Sequence, residues 1–295
     1  MTAPRQILPH TTFMVTRRCL GRKFLLRPSR KTDDLFRYIL AVAAERFGIL
    51  IHALCVMPNH FHCVLTDPFG KLPKFEQYLD GLVARSFNAL HGRWESFWAP
   101  GSYSAVRLLS RATVVEKAAY VLANPVKAGL VRHGREWPGL RLAAGTTAPE
   151  RLSRPEHFFR PDGPLPPEAT LELVCPPGFA SVDEFRKQLA RKVGELEDRA
   201  ARKVAAAGRS FMGARRVMAQ KVEACPANAE PRRGLNPRVA VRDRWKRIEA
   251  LTRLKEFTAA YREAWRAFTR GARGVLFPAG TYWMRVAYGV RCAAA

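Results

Sequence analysis

"VMPNHFHCVL", residues 56–65, sets two histidines one residue apart just after a Pro-Asn pair. Apolar residues run outward on both sides, "ILIHALCVM" (49–57) before the turn and "HFHCVLT" (60–66) after it. Two short apolar runs punctuated by Pro58-Asn59 predict a β-hairpin. Alternation along a strand places His60, His62 and Val64 on one face, with Phe61, Cys63 and Leu65 on the other. The two imidazoles then lie about 6–7 Å apart along the strand, close enough to clasp one cation. Taken alone, the pattern is short, and a pair of satisfied or surface histidines is the better explanation of it.

The flanking sequence places this hairpin in a larger unit. "TTFMVTR" (11–17) is β-branched and aromatic and predicts a strand. "KTDDLFRYILAVAAERFG" carries Leu35, Tyr38, Ile39 and Val42 at helical spacing, with Thr32 or Asp33 placed to cap it. Residues 71–90 predict a helix that buries Phe75, Tyr78, Leu79, Leu82 and Val83. "SYSAVRLL" (102–109) predicts a strand, and "TVVEKAAYVLANPVKAGL" (113–130) a helix with a Thr113–Glu116 capping box and Gly129 as its stop. The order β-α-β-β-α-β-α defines an α+β fold: a ferredoxin-like antiparallel sheet with helices on one face and one added helix. Residues 1–138 form this unit. Residues 139–180, rich in Pro, Gly, Ala and Thr, predict a loop-rich linker, and 181–295 a mostly helical, basic accessory region. Ser181 and Glu184 open its first helix, "ACPANAEPRRGLNPR" (224–238) breaks it, and Trp245 to Phe268 mark a second amphipathic helix.

Composition narrows the function classes. The chain holds 50 Lys and Arg against 25 Asp and Glu, a net charge of +25. Such a surplus repels itself unless a polyanion neutralises it, and nucleic acid is the commonest polyanion. Arg greatly outnumbers Lys, which favours bidentate phosphate contacts. The six cysteines lack CxxC or zinc spacing and fit buried thiols of a reducing cytoplasm. The start, "MTAPRQILPH", lacks the apolar stretch of a signal peptide. The longest apolar stretch is interrupted by Glu45 and Arg46, which argues against a membrane span.

Tyr120 and Asn124 stand four residues apart and share a helical face if the helix persists through Pro125. The residue before a proline is biased away from helical geometry, which works against that sharing. A divalent ion held by His60, His62 and a side-chain carbonyl such as that of Asn124 would suit Mg²⁺ or Mn²⁺. A phenol is a poor nucleophile at neutral pH, but a cation that neutralises a phosphodiester's oxygens lowers that demand. Each residue singly also has an ordinary explanation: a core aromatic for Tyr120, a helix end for Asn124.

"MPNHFHCVL" followed some sixty residues on by "AAYVLANPVKAGLV" resembles the REP-associated tyrosine transposases, within the HUH (His-hydrophobic-His) single-tyrosine transposase superfamily. "VTRRCLGRKFLL", "RSFNALHGR" and "FWAPGSYSAV" stand in the family's order, and the resemblance covers roughly residues 8–138. It implies metal ligation by His60 and His62, Asn124 as the third polar ligand, and Tyr120 as nucleophile. The implied reaction cuts single-stranded, hairpin-bearing DNA through a 5′-phosphotyrosine with a free 3′-OH, then transfers the strand, in the bacterial cytoplasm. No nucleotide cofactor is implied, in keeping with the lack of a GxxxxGK[ST] loop. Arg17, Arg18, Arg85, Arg93 and Lys127 are the candidate DNA contacts. Two other readings stay open: a catalytically inactive ferredoxin-like nucleic-acid-binding protein, and a hydrolase using the histidines with water and a carboxylate such as Asp67.

Overall fold

The structure is a computed structural model that describes residues 4–101, 103–146, 148–156, 158–227 and 237–294. Ser102, at the head of the predicted fourth strand, and most of the predicted break at 224–238 lie outside the described residues.

The chain opens with strand β1 (Thr11–Arg18), helix α1 (Arg30–Phe47), β2 (Leu50–Met57), β3 (His60–Asp67), α2 (Leu72–Leu90), β4 (Ser104–Leu108) and α3 (Arg111–Leu122). A short helix α4 (Asn124–Lys127) follows, then β5 (Arg141–Ala143), β6 (Glu150–Ser153) and β7 (Glu168–Leu171). The remainder comprises α5 (Val182–Ala206), α6 (Ala214–Met218), β8 (Val239–Ala240), α7 (Arg244–Thr269), β9 (Leu276–Phe277), α8 (Trp283–Tyr288) and β10 (Arg291–Cys292). The main sheet has the order β5-β2-β3-β1-β4-β8, antiparallel except for the β4–β8 pair. Its four central strands carry the ferredoxin-like arrangement that the order of elements predicts.

The hairpin β2–β3 turns at Pro58-Asn59, with Met57 opposite His60. β3 lies mid-sheet and is buried on both sides, which accounts for its nearly continuous apolar character. Phe61 on one face meets Phe36 of α1 edge to face, ring centroids 5.4 Å apart. Helices α1 and α2 cover this face, and α3 covers the other, against β2 and β3. Two caps differ from expectation. Ser29, not Thr32 or Asp33, caps α1 by accepting the Thr32 amide, and Ser110 caps α3 by accepting that of Thr113. A hydroxyl just outside the first turn meets the orphan N–H groups that a residue already inside it cannot reach.

The stretch expected as a linker takes part in the fold. β5 extends the main sheet beside β2, and the β6–β7 hairpin packs on α1, with Tyr38 donating to the carbonyl of Pro166. Helix α5 then lays Phe185, Leu189 and Val193 against α3, spaced four apart on one face. One continuous core therefore runs from Phe13 to Val217, across the boundary expected at 138. A separate small core around Ala264, Phe277 and Met284 gathers Tyr261, Trp265 and Phe268 of α7, whereas Trp245, Ile248 and Leu251 of the same helix stay exposed. No helix among the described residues is long and apolar enough to cross a membrane. All six cysteines are free; Cys19, Cys55 and Cys63 are buried, and Cys225 is exposed.

Candidate active site

Register decides which side chains surround the histidine pair. β1 pairs with β3 so that Thr16 stands opposite His62 and Arg18 opposite His60. Residues directly opposite share a face, so Thr16 and Arg18 join the histidines on the side covered by α3. The imidazoles lie edge to face with centroids 4.8 Å apart. His62 Nδ1 is 2.6 Å from Thr16 Oγ1, and His60 Nδ1 is 2.6 Å from Asn59 Oδ1. Hydrogen bonds at both Nδ1 atoms make Nε2 the atom through which each ring would ligate a cation, the way metal-binding histidines are oriented. Burial holds His62 well below the usual imidazole range, helped by the positive charges of His60, Lys127 and Arg18. A neutral imidazole is the form that can bind a cation.

Tyr120 comes from the facing helix. Its ring stands edge to face against that of His62, centroids 5.5 Å apart. The single helix expected over 113–130 divides at Ala123, yet Ala123 keeps right-handed helical angles. Its N–H bonds to the Ala119 carbonyl, and Lys127 N–H bonds to the Ala123 carbonyl, so the helical path continues through the break. Tyr120, Asn124 and Lys127 consequently lie along one stripe at helical spacing. Asn124 is buried, and its amide nitrogen has no hydrogen-bond partner among the described residues. The two ends of such an amide are told apart only by their partners, and turning it would aim the oxygen where a cation needs a donor.

Lys127 closes the group. Its ammonium lies 3.6 Å from the centroid of the Tyr120 ring. Partial burial, then repulsion from Lys117 and Lys203, lowers its pKa to about 8. The stripe gains rigidity from Arg141, whose guanidinium donates to the Leu122 carbonyl at 2.8 Å and pairs with Glu197 of α5. That carbonyl belongs to the turn where Pro125 interrupts the helical ladder.

Among the described residues no three His, Cys, Asp or Glu side chains gather as a metal cluster. Two oriented imidazoles and, one helical turn beyond Tyr120, one buried amide short of a partner among the described residues are a donor set that would fit a divalent cation. Asp67, the carboxylate considered for a hydrolase, sits at the other end of β3. Its oxygens accept the amides of Phe69, Lys71 and Leu72 at the start of α2.

The other candidate DNA contacts separate. Arg18 and Arg85 are exposed. Arg17 lies on the opposite face of β1, paired with Asp80 at 3.1 Å and donating to the carbonyl of Gly101. Arg93 is withdrawn, its side chain 9% exposed and paired with Glu95. These placements follow from geometry that a basic residue's identity does not carry. Thr16 and Asn59 were not legible as histidine partners, although Asn59 stands in the turn and Thr16 follows once the β1–β3 register is known.

No protein-family model matches the chain, and no curated protein does. Solved structures similar to it include a REP-associated tyrosine transposase bound to a REP hairpin, 20% identical over 47% of this chain and 81% of that one, with a TM-score of 0.40. Another is a protein from Deinococcus radiodurans described as a transposase, 24% identical over 41% of this chain and 95% of that one, with a TM-score of 0.30. The roles of individual residues rest on the site's own geometry.

Proposed function

We propose that this chain is a tyrosine transposase of the HUH class, cutting and rejoining single-stranded DNA that bears a hairpin. The observation that carries the reading is the stacking of three groups on one another. The His60–His62 pair meets the Tyr120 ring, and Lys127 covers that ring.

In the reaction Tyr120 Oη attacks a backbone phosphorus, and the P–O3′ bond breaks. The phenol's proton is lost and the leaving 3′ oxygen gains one, so a free 3′-OH and a 5′-phosphotyrosine result. The reverse attack by another 3′-OH restores a phosphodiester and completes strand transfer. A phosphate ester is made for each one broken, so no external energy source is required. His60, His62 and Asn124 would hold Mg²⁺ or Mn²⁺, which when bound neutralises charge on the non-bridging oxygens. Thr16 and Asn59 orient the imidazoles, and Lys127 places positive charge over the ring, which favours the deprotonated phenol that attacks. Arg18, exposed beside His60 on the same face, suits a contact to the flanking backbone.

The test is incubation with labelled hairpin-bearing single-stranded DNA and Mn²⁺, followed by denaturing electrophoresis. A labelled species migrating with the protein, absent in EDTA, is expected. DNA binding with no cut and no adduct under these conditions would assign the chain to the inactive nucleic-acid-binding class instead.

A further inference from the structure

A second basic cleft lies far from the tyrosine, where the C-terminal region meets the ferredoxin-like unit. It holds 380 Å³ and is lined by Arg46 at the end of α1, Lys71 and Lys74 at the start of α2, Phe69 between β3 and α2, and Tyr282 and Arg285 of the α8 segment. Among the described residues no carboxylate lines it. The nearby Asp67 is buried, and three backbone amides occupy its oxygens.

The cleft is assembled by the fold rather than left by chance. The chain before α8 closes onto the N-terminal segment through a bridge between Gln6 and Thr281 and a bond from Ile7 N–H to the Gly280 carbonyl. Gly280 has φ +82°, and a Cβ there would stand 2.7 Å from the Gln6 side chain, so only glycine permits this approach. On the opposite wall the Phe69 ring lies over Gly48, 2.6 Å from where a Cβ would be. Phe69 is nonetheless 59% exposed. The hydroxyl of Tyr282 is buried without a hydrogen-bond partner among the described residues. Four cations and an exposed aromatic ring are the groups that phosphates and unpaired bases engage.

This cleft and the tyrosine site are separate. Asp67 and His60 end the same strand seven residues apart, roughly 23 Å at strand rise. The histidines face α3, whereas α1 and α2 lie on the other face, so one straight DNA segment does not serve both places. We propose that the cleft binds the sugar-phosphate backbone of a second DNA segment, apart from the strand held at Tyr120. Strand transfer involves a second segment, but the binding itself does not depend on the cleavage reading.

The experiment uses the full chain with Lys71→Glu, Lys74→Glu and Arg285→Glu combined. Acidic residues in the first turn of α2 suit its N-terminal dipole, and all three side chains are exposed, so the fold tolerates the change. A charge-matched control carries Arg30→Glu, Lys31→Glu and Arg151→Glu, which are exposed elsewhere. Affinity for a labelled single strand is measured by fluorescence anisotropy across a salt series, together with cleavage at saturating DNA. The cleft variant is expected to bind about tenfold more weakly at low salt, with its log–log salt slope reduced by about 2. Its cleavage should persist at saturating DNA, and the control should change far less. Affinity and slope equal to the control's would overturn the proposal, whether or not the protein cuts DNA. Loss of binding to anionic lipid vesicles with DNA affinity intact would likewise overturn it, in favour of a membrane surface.

Discussion

The two faces of β1 carry polar groups of opposite kinds. On one, Thr16 turns its hydroxyl to His62, and the pair looks out toward Tyr120 and the exposed end of Lys127. On the other, one residue along, Arg17 pairs with Asp80 beneath α2, near Glu76, whose two oxygens are buried without hydrogen-bond partners among the described residues. Burial and the neighbouring Asp80 hold the Glu76 carboxyl well above the usual range, against the pull of Arg5 and Arg17. The same burial keeps Asp80 at about 7, although Arg17 opposes it. Perturbed ionisation alone therefore does not mark chemistry. One face encloses its charges beneath α2, whereas the other sets two oriented imidazoles against Tyr120, which is half-buried.

That contrast breaks most visibly at His62. His62→Ala, or removal of metal with EDTA, should lower DNA cleavage by at least about 10²-fold. The vacated ring costs the His62→Ala protein some thermal stability, which EDTA treatment does not, and salt-sensitive DNA binding should remain in both. Full cleavage in EDTA would remove the cation from the account. A smaller loss is expected from Thr16→Val, which deletes the hydroxyl beside His62 Nδ1 while keeping the side chain's volume. Titration of Mn²⁺ into this variant should show an affinity about 10–100-fold weaker, with cleavage recovering at high metal. Lys127→Gln should slow adduct formation roughly five- to tenfold, the scale of one cation over an aromatic ring, and Lys127→Arg should restore part of it. Single-turnover rates at saturating DNA separate this effect from weakened binding.

The closed face supplies the smallest effect on chemistry. Glu76→Gln should leave cleavage unchanged and alter only the pH dependence of stability. A carboxyl raised on folding binds its proton more tightly in the native state. Its contribution is complete below the unfolded value near 4.5 and is lost as pH rises through the folded one. Denaturant midpoints between about pH 5 and about pH 8 should therefore fall more steeply in the wild type, by up to about 1.4 kcal/mol per pH unit. Parallel profiles for the two proteins would show that Glu76 ionises freely within the fold.

The hairpin and the order of the first seven elements were legible because period-two and helical spacing both follow from local geometry, and Pro58-Asn59 marks the turn. The His60–His62 face followed from alternation alone. The β5 strand and the β6–β7 hairpin were not legible, since short edge strands among prolines and glycines carry little periodicity and depend on the surface they join. Nor were the caps at Ser29 and Ser110, each the residue just before its helix and outside the apolar pattern. Arg17 and Arg18 are indistinguishable as sequence neighbours, and only strand register sends one to Asp80 and the other beside His60. The cleft at Lys71 and Arg285 joins residues more than two hundred positions apart, which no local pattern announces.

The central claim is that Tyr120 becomes joined to DNA, and peptide mass spectrometry tests it most directly. The protein would react with a hairpin-bearing single strand and Mn²⁺, followed by nuclease and protease digestion. The account predicts a nucleotide remnant attached through its 5′ phosphate to the peptide containing Tyr120, and none in Tyr120→Phe protein of unchanged melting temperature. A remnant on another residue, or cut DNA with no protein-linked nucleotide, would contradict it.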